Sequence, residues 1–450
     1  MNIWKRTQPA LLGGEPVRRR PWPQWPAGGR EEERRLLRVL REGRWQHPAG
    51  GEVSLFERRF AGARGVRHAF AVAGHATALR LALLAAGLER GAKVILPAYG
   101  PLNLVSAVLG TGLRPVFADV GLETGNADLA TVDAVAEEEV RGVLVFHTAG
   151  LPVSMEPLLE RAHERGWIVW EDASHAHAGM YRDRPCGTWG RAGVFSLCAD
   201  TVVPGGEAGV VITGDGEWAA RCRTLLGRDG PGGQGAGEWP ETWEAMSLGE
   251  FAGAVLNAQL DRFELTARRR DQRSRYLAER LASVPGVHPQ PRTDGCTRHG
   301  CGGFLMRLDA DRFGAPRDAV VAALAAEGIP CGVGWRESLP DRWLRWSRKL
   351  SDVGLAAVCA DAVPGRGCVN ARRLCRQAIW LESRLLLADQ QEMDDIVRAL
   401  EKLHEHGRAL KDWWRRHTAA EQGRHASEGM DTRSETVPDR SDHGCSRGRA

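Results

Sequence analysis

From residue 68 onward, short apolar runs alternate along the chain with helix-length stretches. HAFAVA, KVILPA, LRPVFAD, VRGVLVFH and GWIVWED are apolar at consecutive positions, so the strands they predict are covered on both faces. Between them lie ATALRLALLAAGLE, LATVDAVAEEEV and SMEPLLERAHER, whose apolar residues recur at the spacing of an amphipathic helix. Strands buried on both faces and alternating with such helices predict an α/β protein with a mostly parallel sheet between helical layers. Two further strand runs, AGVFSL and AGVVITG, follow with no full helix between them.

The flanks read differently. Residues 9–30 are rich in Pro and Gly and predict an extended arm. From Glu31, EEERRLLRVLRE has helical spacing with acids in its first turn. The run GRDGPGGQGAGE at 227–238 predicts a mobile loop and lacks the GK[ST] of a phosphate loop. A long helical region is expected from about Ser247 to Ala282, and GGFLMRLDA, RDAVVAALAAEG and QEMDDIVRALEKLHEH predict a smaller α/β unit. After Arg416 apolar residues become too sparse to offset the ordering entropy. The expected organisation is an arm at 1–30, a large domain at 31–265, a small C-terminal domain at 266–416 and a disordered tail at 417–450.

Composition narrows the function. A chain of 450 residues that is 43% hydrophobic is long enough for two cores. Its formal charge of +4 is small for that length and implies no nucleic-acid partner. The start, MNIWKRTQPA, lacks a secretory apolar run, and no stretch is long enough to span a membrane, which predicts a cytoplasmic protein. Ten cysteines without a repeated CxxC spacing are expected to be reduced. Cys296 and Cys301 flank His299 without an evident fourth ligand, so this stretch predicts a loop with free thiols, not a zinc site. Lysine is scarce: only Lys5, Lys93, Lys349, Lys402 and Lys411 occur.

Ligands of open parallel sheets bind at the carboxyl ends of the strands. After GWIVW comes Glu171-Asp172-Ala173-Ser174-His175-Ala176-His177. An acid at a strand end with His three residues later suits acid–base work, metal binding or a pyridinium contact; equally, Asp172 could cap the next turn.

Taken together, the EDASHAH run, CGTWGRAGVFS, PGGEAGVVITGD, the arm PWPQWP, VILPA, VFHTAG and IWLESRLLL resemble the DegT/StrS family of pyridoxal-phosphate (PLP) aminotransferases of fold type I. The resemblance runs from about residue 10 to 405 and is strongest to the branch of cyclitol aminotransferases and 3-amino-5-hydroxybenzoate synthase. It implies a homodimer or a heterodimer with an intact paralogue, and a keto-sugar or keto-cyclitol ligand. It also implies that Asp172 pairs with the pyridine nitrogen, His175 lies near the ring oxygen, and Ser196 holds the phosphate.

The same register places Thr201 at the position of the Schiff-base lysine, between Phe195-Ser196-Leu197 and Gly206-Glu207-Ala208-Gly209, and no lysine occurs between Lys93 and Lys349. Three more family positions depart. The phosphate turn reads Ala73-Gly74-His75-Ala76, with Ala76 in place of a hydroxyl; Pro101 replaces the stacking aromatic; Gly249 replaces an asparagine that reaches the partner's phosphate. A charged hydrogen bond is worth on the order of 1.5–3 kcal/mol, so losing two implies cofactor binding weaker by roughly a hundredfold or more. The expectation is a protein with no tightly bound cofactor and at most weak PLP or pyridoxamine phosphate, without lysine-dependent transamination, non-catalytic or accessory to an active paralogue. The alternative is a lysine-independent enzyme with His75, His175 and Asp200 as acid–base groups.

Overall fold

In the computed structural model, which describes residues 8–46, 50–228, 246–352 and 367–418, each expected strand run becomes a strand of one seven-stranded sheet. Its strands are β1 (His68–Val72), β2 (Lys93–Pro97), β3 (Arg114–Ala118), β4 (Val140–Phe146), β5 (Ile168–Asp172), β6 (Ala192–Ser196) and β7 (Gly209–Thr213), in the order β1-β7-β6-β5-β4-β2-β3. The β3, β2, β4, β5 and β6 neighbours pair in parallel, and β7 runs antiparallel to both β6 and β1. The reversed strand follows from the short β6–β7 connection, since a parallel return needs a crossover of a dozen or more residues.

Helices cover both faces: α1 (Arg30–Glu42), α2 (Glu52–Arg64), α3 (His75–Leu84), α4 (Asn103–Gly110), α5 (Met155–Arg165), α6 (Gly216–Leu225), α7 (Glu250–Asp261) and α8 (Phe263–Leu281). One face of the sheet packs Val72, Leu96, Leu144, Trp170 and Val194 against α3 and α4. The opposite face is shared by two clusters: Ala71, Phe195 and Val210 pack with α2 and α7, and Ile95, Val143, Val145 and Val169 pack with α5. Trp170 is fully buried and its indole donates to the Ala82 carbonyl at 3.1 Å. The architecture is therefore the expected α/β fold, with a mostly parallel sheet between helices.

A second, antiparallel sheet is built from β8 (Val287–Pro289), β9 (Phe304–Leu308), β10 (Cys331–Gly332) and β11 (Ala378–Leu381), in the order β8-β9-β11-β10. Helix α8, α9 (Arg317–Ala326) and α11 (Gln390–Glu405) pack around it, with Leu277, Met306, Leu324, Ile379, Ile396 and Leu400 in the core of this unit; α10 (Leu339–Asp352) instead turns Leu339 and Trp343 into the core of the larger sheet. The arm is bound to this unit. Arg18 pairs with Glu392 at 2.6 Å and Asp395 at 2.9 Å, and its guanidinium lies 3.8 Å from the Trp22 ring centre.

Several local expectations shift. The arm contains one 3-10 turn, Ala10–Leu12. The long helical region from Ser247 to Ala282 divides at Arg262, whose guanidinium reaches back to the Ala27 carbonyl at 2.5 Å and to Glu32 of α1. LATVDAVAEEEV keeps only the short helix Leu129–Asp133, closed by a reciprocal Asp128–Thr131 cap; Glu137 and Glu139 then pair with Lys93 at the start of β2 and lead the chain into β4. Helical structure extends to Thr418. The remaining tail, and residues 229–238 of the Gly-rich run, lie outside the described residues. No described helix is long and apolar enough to cross a membrane.

Candidate active site

Alternation along β5 turns Trp170 and Asp172 to one face of the sheet and Glu171 to the other. On the first face α3 begins, behind Gly74, with His75. The His75 Nε2 lies 2.9 Å from Asp172 Oδ2 and 3.1 Å from Ser174 Oγ. Asn103 Nδ2 is 3.2 Å from His75 Nδ1. The Ser174 hydroxyl donates to Asp172 Oδ1 at 2.5 Å, its backbone N–H donates to the same oxygen at 3.0 Å, and it accepts from Ser196 N at 2.8 Å. Both carboxylate oxygens are thus bonded by protein groups, and Asp172 is fully buried. Burial raises its carboxyl, but the charge and hydrogen bond of His75, with the Ser174 bonds, outweigh burial and hold it below the ordinary value.

His175 and His177 follow on the turn. Gly302 N donates to the His175 carbonyl at 2.9 Å, and Gly300 N to the Gly150 carbonyl at 2.7 Å. This close approach explains Gly150: its φ is 102°, and a Cβ there would stand 2.4 Å from Cys301 N. The His175 ring is parallel to Trp335, with centres 6.3 Å apart, and meets Phe146 and Trp380 edge-on at 4.9 and 5.6 Å. Its Nδ1 is buried with no partner among the described residues, and burial pushes its pKa down to about 4. His177 donates to the Ser196 carbonyl at 2.7 Å, and burial lowers it to about 3.

These groups adjoin a cleft of about 600 Å³ at the carboxyl ends of the strands, walled by Trp25, His175, Asp200, Trp335 and Trp380. A larger depression of about 1000 Å³ around Arg67, Arg184 and Asp215 lies at the other end of the sheet and holds none of the candidate residues.

Thr201 is turned into its own loop. Its hydroxyl lies 2.8 Å from the Cys198 carbonyl and 3.1 Å from that of Val203, and its carbonyl accepts from the Trp25 indole at 2.8 Å. Asp200 is exposed at the cleft wall. Ser196 is buried, its hydroxyl 3.4 Å from Cys198 N. Ala76 sits in the first turn of α3, Pro101 follows β2, and Gly249 caps α7 in an exposed position. The structure brings Asp172, His75, His175 and Ser196 together and leaves Gly249 apart on the surface. Lys93 is ion-paired at the opposite end of the sheet, and Lys402 bonds Glu15 and Glu327 under the arm. The His299 Nδ1 accepts from Cys301 N at 3.0 Å and its Nε2 meets Gln290 Oε1 at 3.2 Å, and among the described residues no three His, Cys, Asp or Glu side chains gather in a group that could hold a metal ion.

Sequence reasoning missed Ser174, Asn103, Trp25 and Trp335. Ser174 stands inside the EDASHAH run and could have been found as the hydroxyl two residues past the strand-end acid. Asn103 and Trp335 come from distant segments with no motif of their own, and the PWPQWP arm that carries Trp25 does not say where it docks.

A profile of the DegT/DnrJ/EryC1/StrS aminotransferase family matches residues 26–401. The chain is 31% identical over 427 residues to L-glutamine:2-deoxy-scyllo-inosose aminotransferase of Streptomyces paromomycinus, covering 89% of this chain and 98% of that protein. It is 30% identical to 3-amino-5-hydroxybenzoate synthase of Amycolatopsis mediterranei (strain S699), over 83% of this chain and 94% of that one. Among solved structures, 3-amino-5-hydroxybenzoic acid synthase superposes with a TM-score of 0.73 at 27% identity, covering 85% of this chain and 98% of that one.

These likenesses correct the expectation that no cofactor is tightly bound, with PLP or pyridoxamine phosphate at most weakly held. The family and its close homologues are PLP-dependent aminotransferases, which bind PLP tightly. The physical error lay in counting lost contacts alone. The buried ionised Asp172, the Ser196 hydroxyl and the amide end of α3, which no side chain caps, remain at the strand ends, and several such groups act together.

Proposed function

The chain belongs to the DegT/DnrJ/EryC1/StrS aminotransferase family, and from that premise we propose that it is a cyclitol or aminoshikimate-type member without lysine-dependent amino transfer, accessory to an intact paralogue. Homologues in this family typically work as dimers, and the proposed state is a cytoplasmic homodimer or a heterodimer with that paralogue.

The observation that carries this reading is the environment of Thr201. Its hydroxyl is held within its own loop and its carbonyl by Trp25; of the four described lysines, Lys93 and Lys402 are bound elsewhere, and Lys349 and Lys411 are exposed and do not line the cleft. The remaining residues fit PLP held by non-covalent contacts and do not fit a covalent attachment. Asp172 and His175 would hold the ring, and Ser196 and the amide end of α3 would hold the phosphate, while Ala76 and Gly249 offer no side-chain contact. The unpartnered Nδ1 of His175 is the polar atom left open for such a ring. PLP supplies an electron sink when bound. The base that an aminotransferase lysine provides has no replacement at Thr201.

A second reading, a lysine-independent enzyme acting on a keto-sugar or keto-cyclitol, is favoured by the position of His175 at the wall of an aromatic cleft. One experiment separates the two. The chain alone, supplied with PLP, glutamine and 2-deoxy-scyllo-inosose, is expected to form no aminated cyclitol, and to alter the turnover of its intact paralogue when the two are mixed. Aminated product from the chain alone would contradict the proposal.

A further inference from the structure

Helix α8 carries Arg270 at the boundary between the cleft and the second unit. Arg270 is fully buried, and its Nε and both terminal nitrogens have no hydrogen-bond partner among the described residues. Two other buried guanidinium groups are paired: Arg18 with two carboxylates, Arg317 with Asp318 and with the Cys375 and Ala378 carbonyls. Arg64, buried over the Phe60 and Phe263 rings and not at the cleft, also leaves its Nε and one terminal nitrogen without a partner among the described residues. What Arg270 does touch is an aromatic face. Its guanidinium carbon lies 4.5 Å from the centre of the Trp25 ring.

A cation over an indole recovers only part of the hydration it has lost. A guanidinium also presents five N–H donors in a planar fork suited to an oxyanion, and leaving all of them unpaired in the interior is costly. Burial accordingly pulls Arg270 down to about 10, which leaves it charged at neutral pH. The ring that covers it belongs to the arm, is itself half-buried, and is tied to the body by its indole bond to the Thr201 carbonyl at 2.8 Å. Trp25 also lines the 600 Å³ cleft, beside His175 and Asp200. Trp25 is thus the common wall between an open cleft and a buried, unpaired cation.

We propose that Arg270 is an anion-binding point behind Trp25, and that displacement of the Trp25 ring admits the oxyanion of a small ligand, a carboxylate or a phosphate group, from the cleft. The fork of Arg270 donates to the two oxygens, and the aromatic walls Trp335 and Trp380 hold the body of the ligand. This site is separate from the Asp172 network and does not rest on the accessory reading above.

The probes are benzoate, inorganic phosphate and uncharged benzamide, followed by calorimetric titration and by the shift in melting temperature of the full chain. Wild type is expected to bind at least one of the two anions and to ignore benzamide. Binding of benzoate alone identifies a carboxylate ligand, and binding of phosphate alone a phosphorylated one. Arg270→Met is expected to weaken the bound anion by at least about tenfold, the loss of one charged hydrogen bond or more. Trp25→Ala removes the cover and keeps the charge, so it is expected to bind the anion at least as tightly as wild type, and it tests the site even if Arg270→Met fails to fold. The proposal is overturned by any of three results: neither anion binds wild type or Trp25→Ala, benzamide binds as well as benzoate, or Arg270→Met binds within about threefold of wild type.

Discussion

Two neighbouring carboxylates on β5 lie in opposite environments. Glu171, behind the sheet, is fully buried and accepts four hydrogen bonds: from Gly187 N at 2.7 Å, Trp189 N at 2.6 Å, Gly190 N at 2.7 Å and His147 at 3.1 Å. Three of these donors are backbone amides of one turn, so Glu171 is the clasp that closes the chain between β5 and β6. Asp172, in front, is held mainly by side chains, His75 from another helix and Ser174 from the following turn. Backbone amides orphaned in the interior have nowhere to turn, whereas two side chains can bond each other or rotate. The pair shows that burial alone does not identify a functional acid; the identity and mobility of its partners do.

The largest expected effect therefore falls on the acid outside the site. Glu171→Ala should cost about 3–5 kcal/mol of unfolding free energy, because it leaves three amides and His147 without an acceptor. Urea denaturation measures it. Asp172→Ala should cost less, about 1–3 kcal/mol, since His75 and Ser174 lie 3.1 Å apart and retain each other. A larger loss at Asp172 than at Glu171 would break the contrast.

Acid sharpens it on the front side. His175 and His177 titrate in the folded protein at about 4 and 3, below the ordinary 6.5. Between those values the unfolded chain binds more protons than the folded one, so stability is full above about pH 6.5 and is lost as pH falls toward 4 and 3. Each imidazole should cost about 1 kcal/mol between pH 7 and 5.5. His177→Gln should flatten the pH dependence by about that amount over this window; an unchanged slope would show that His177 is solvated in the folded state.

The alternation of apolar runs made the seven strands legible, because a strand covered on both faces leaves a continuous signature in sequence. The acid–His turn after β5 was legible for the same reason: strand ends are where such a sheet places its ligands. The His75–Asp172 bond was not. It depends on a helix start 97 residues earlier in the chain, and in sequence His75 reads only as one of several acid–base candidates. Nor was Trp25 at Thr201, since an arm rich in Pro and Gly carries no periodicity to say where it docks. Cofactor affinity was misjudged because residues lost from a motif can be counted in sequence, while the cooperation of those that remain cannot.

The smallest expected effect is that of restoring the missing side chain. Thr201→Lys places an amine in a loop whose backbone carbonyl stays bonded to the Trp25 indole, and Ala76, Pro101 and Gly249 stay unchanged. It should yield no measurable amino transfer from glutamine. Robust turnover by this single variant would mean that lysine was the only functional loss.

The most direct test of the central claim, a family frame without a covalent cofactor anchor, is borohydride reduction of the PLP-saturated protein followed by peptide mass spectrometry. No cofactor-modified residue is expected anywhere in the site formed by α3, β5 and β6. A stoichiometric reduced adduct on a residue of that site, lost in Asp172→Ala, would contradict it.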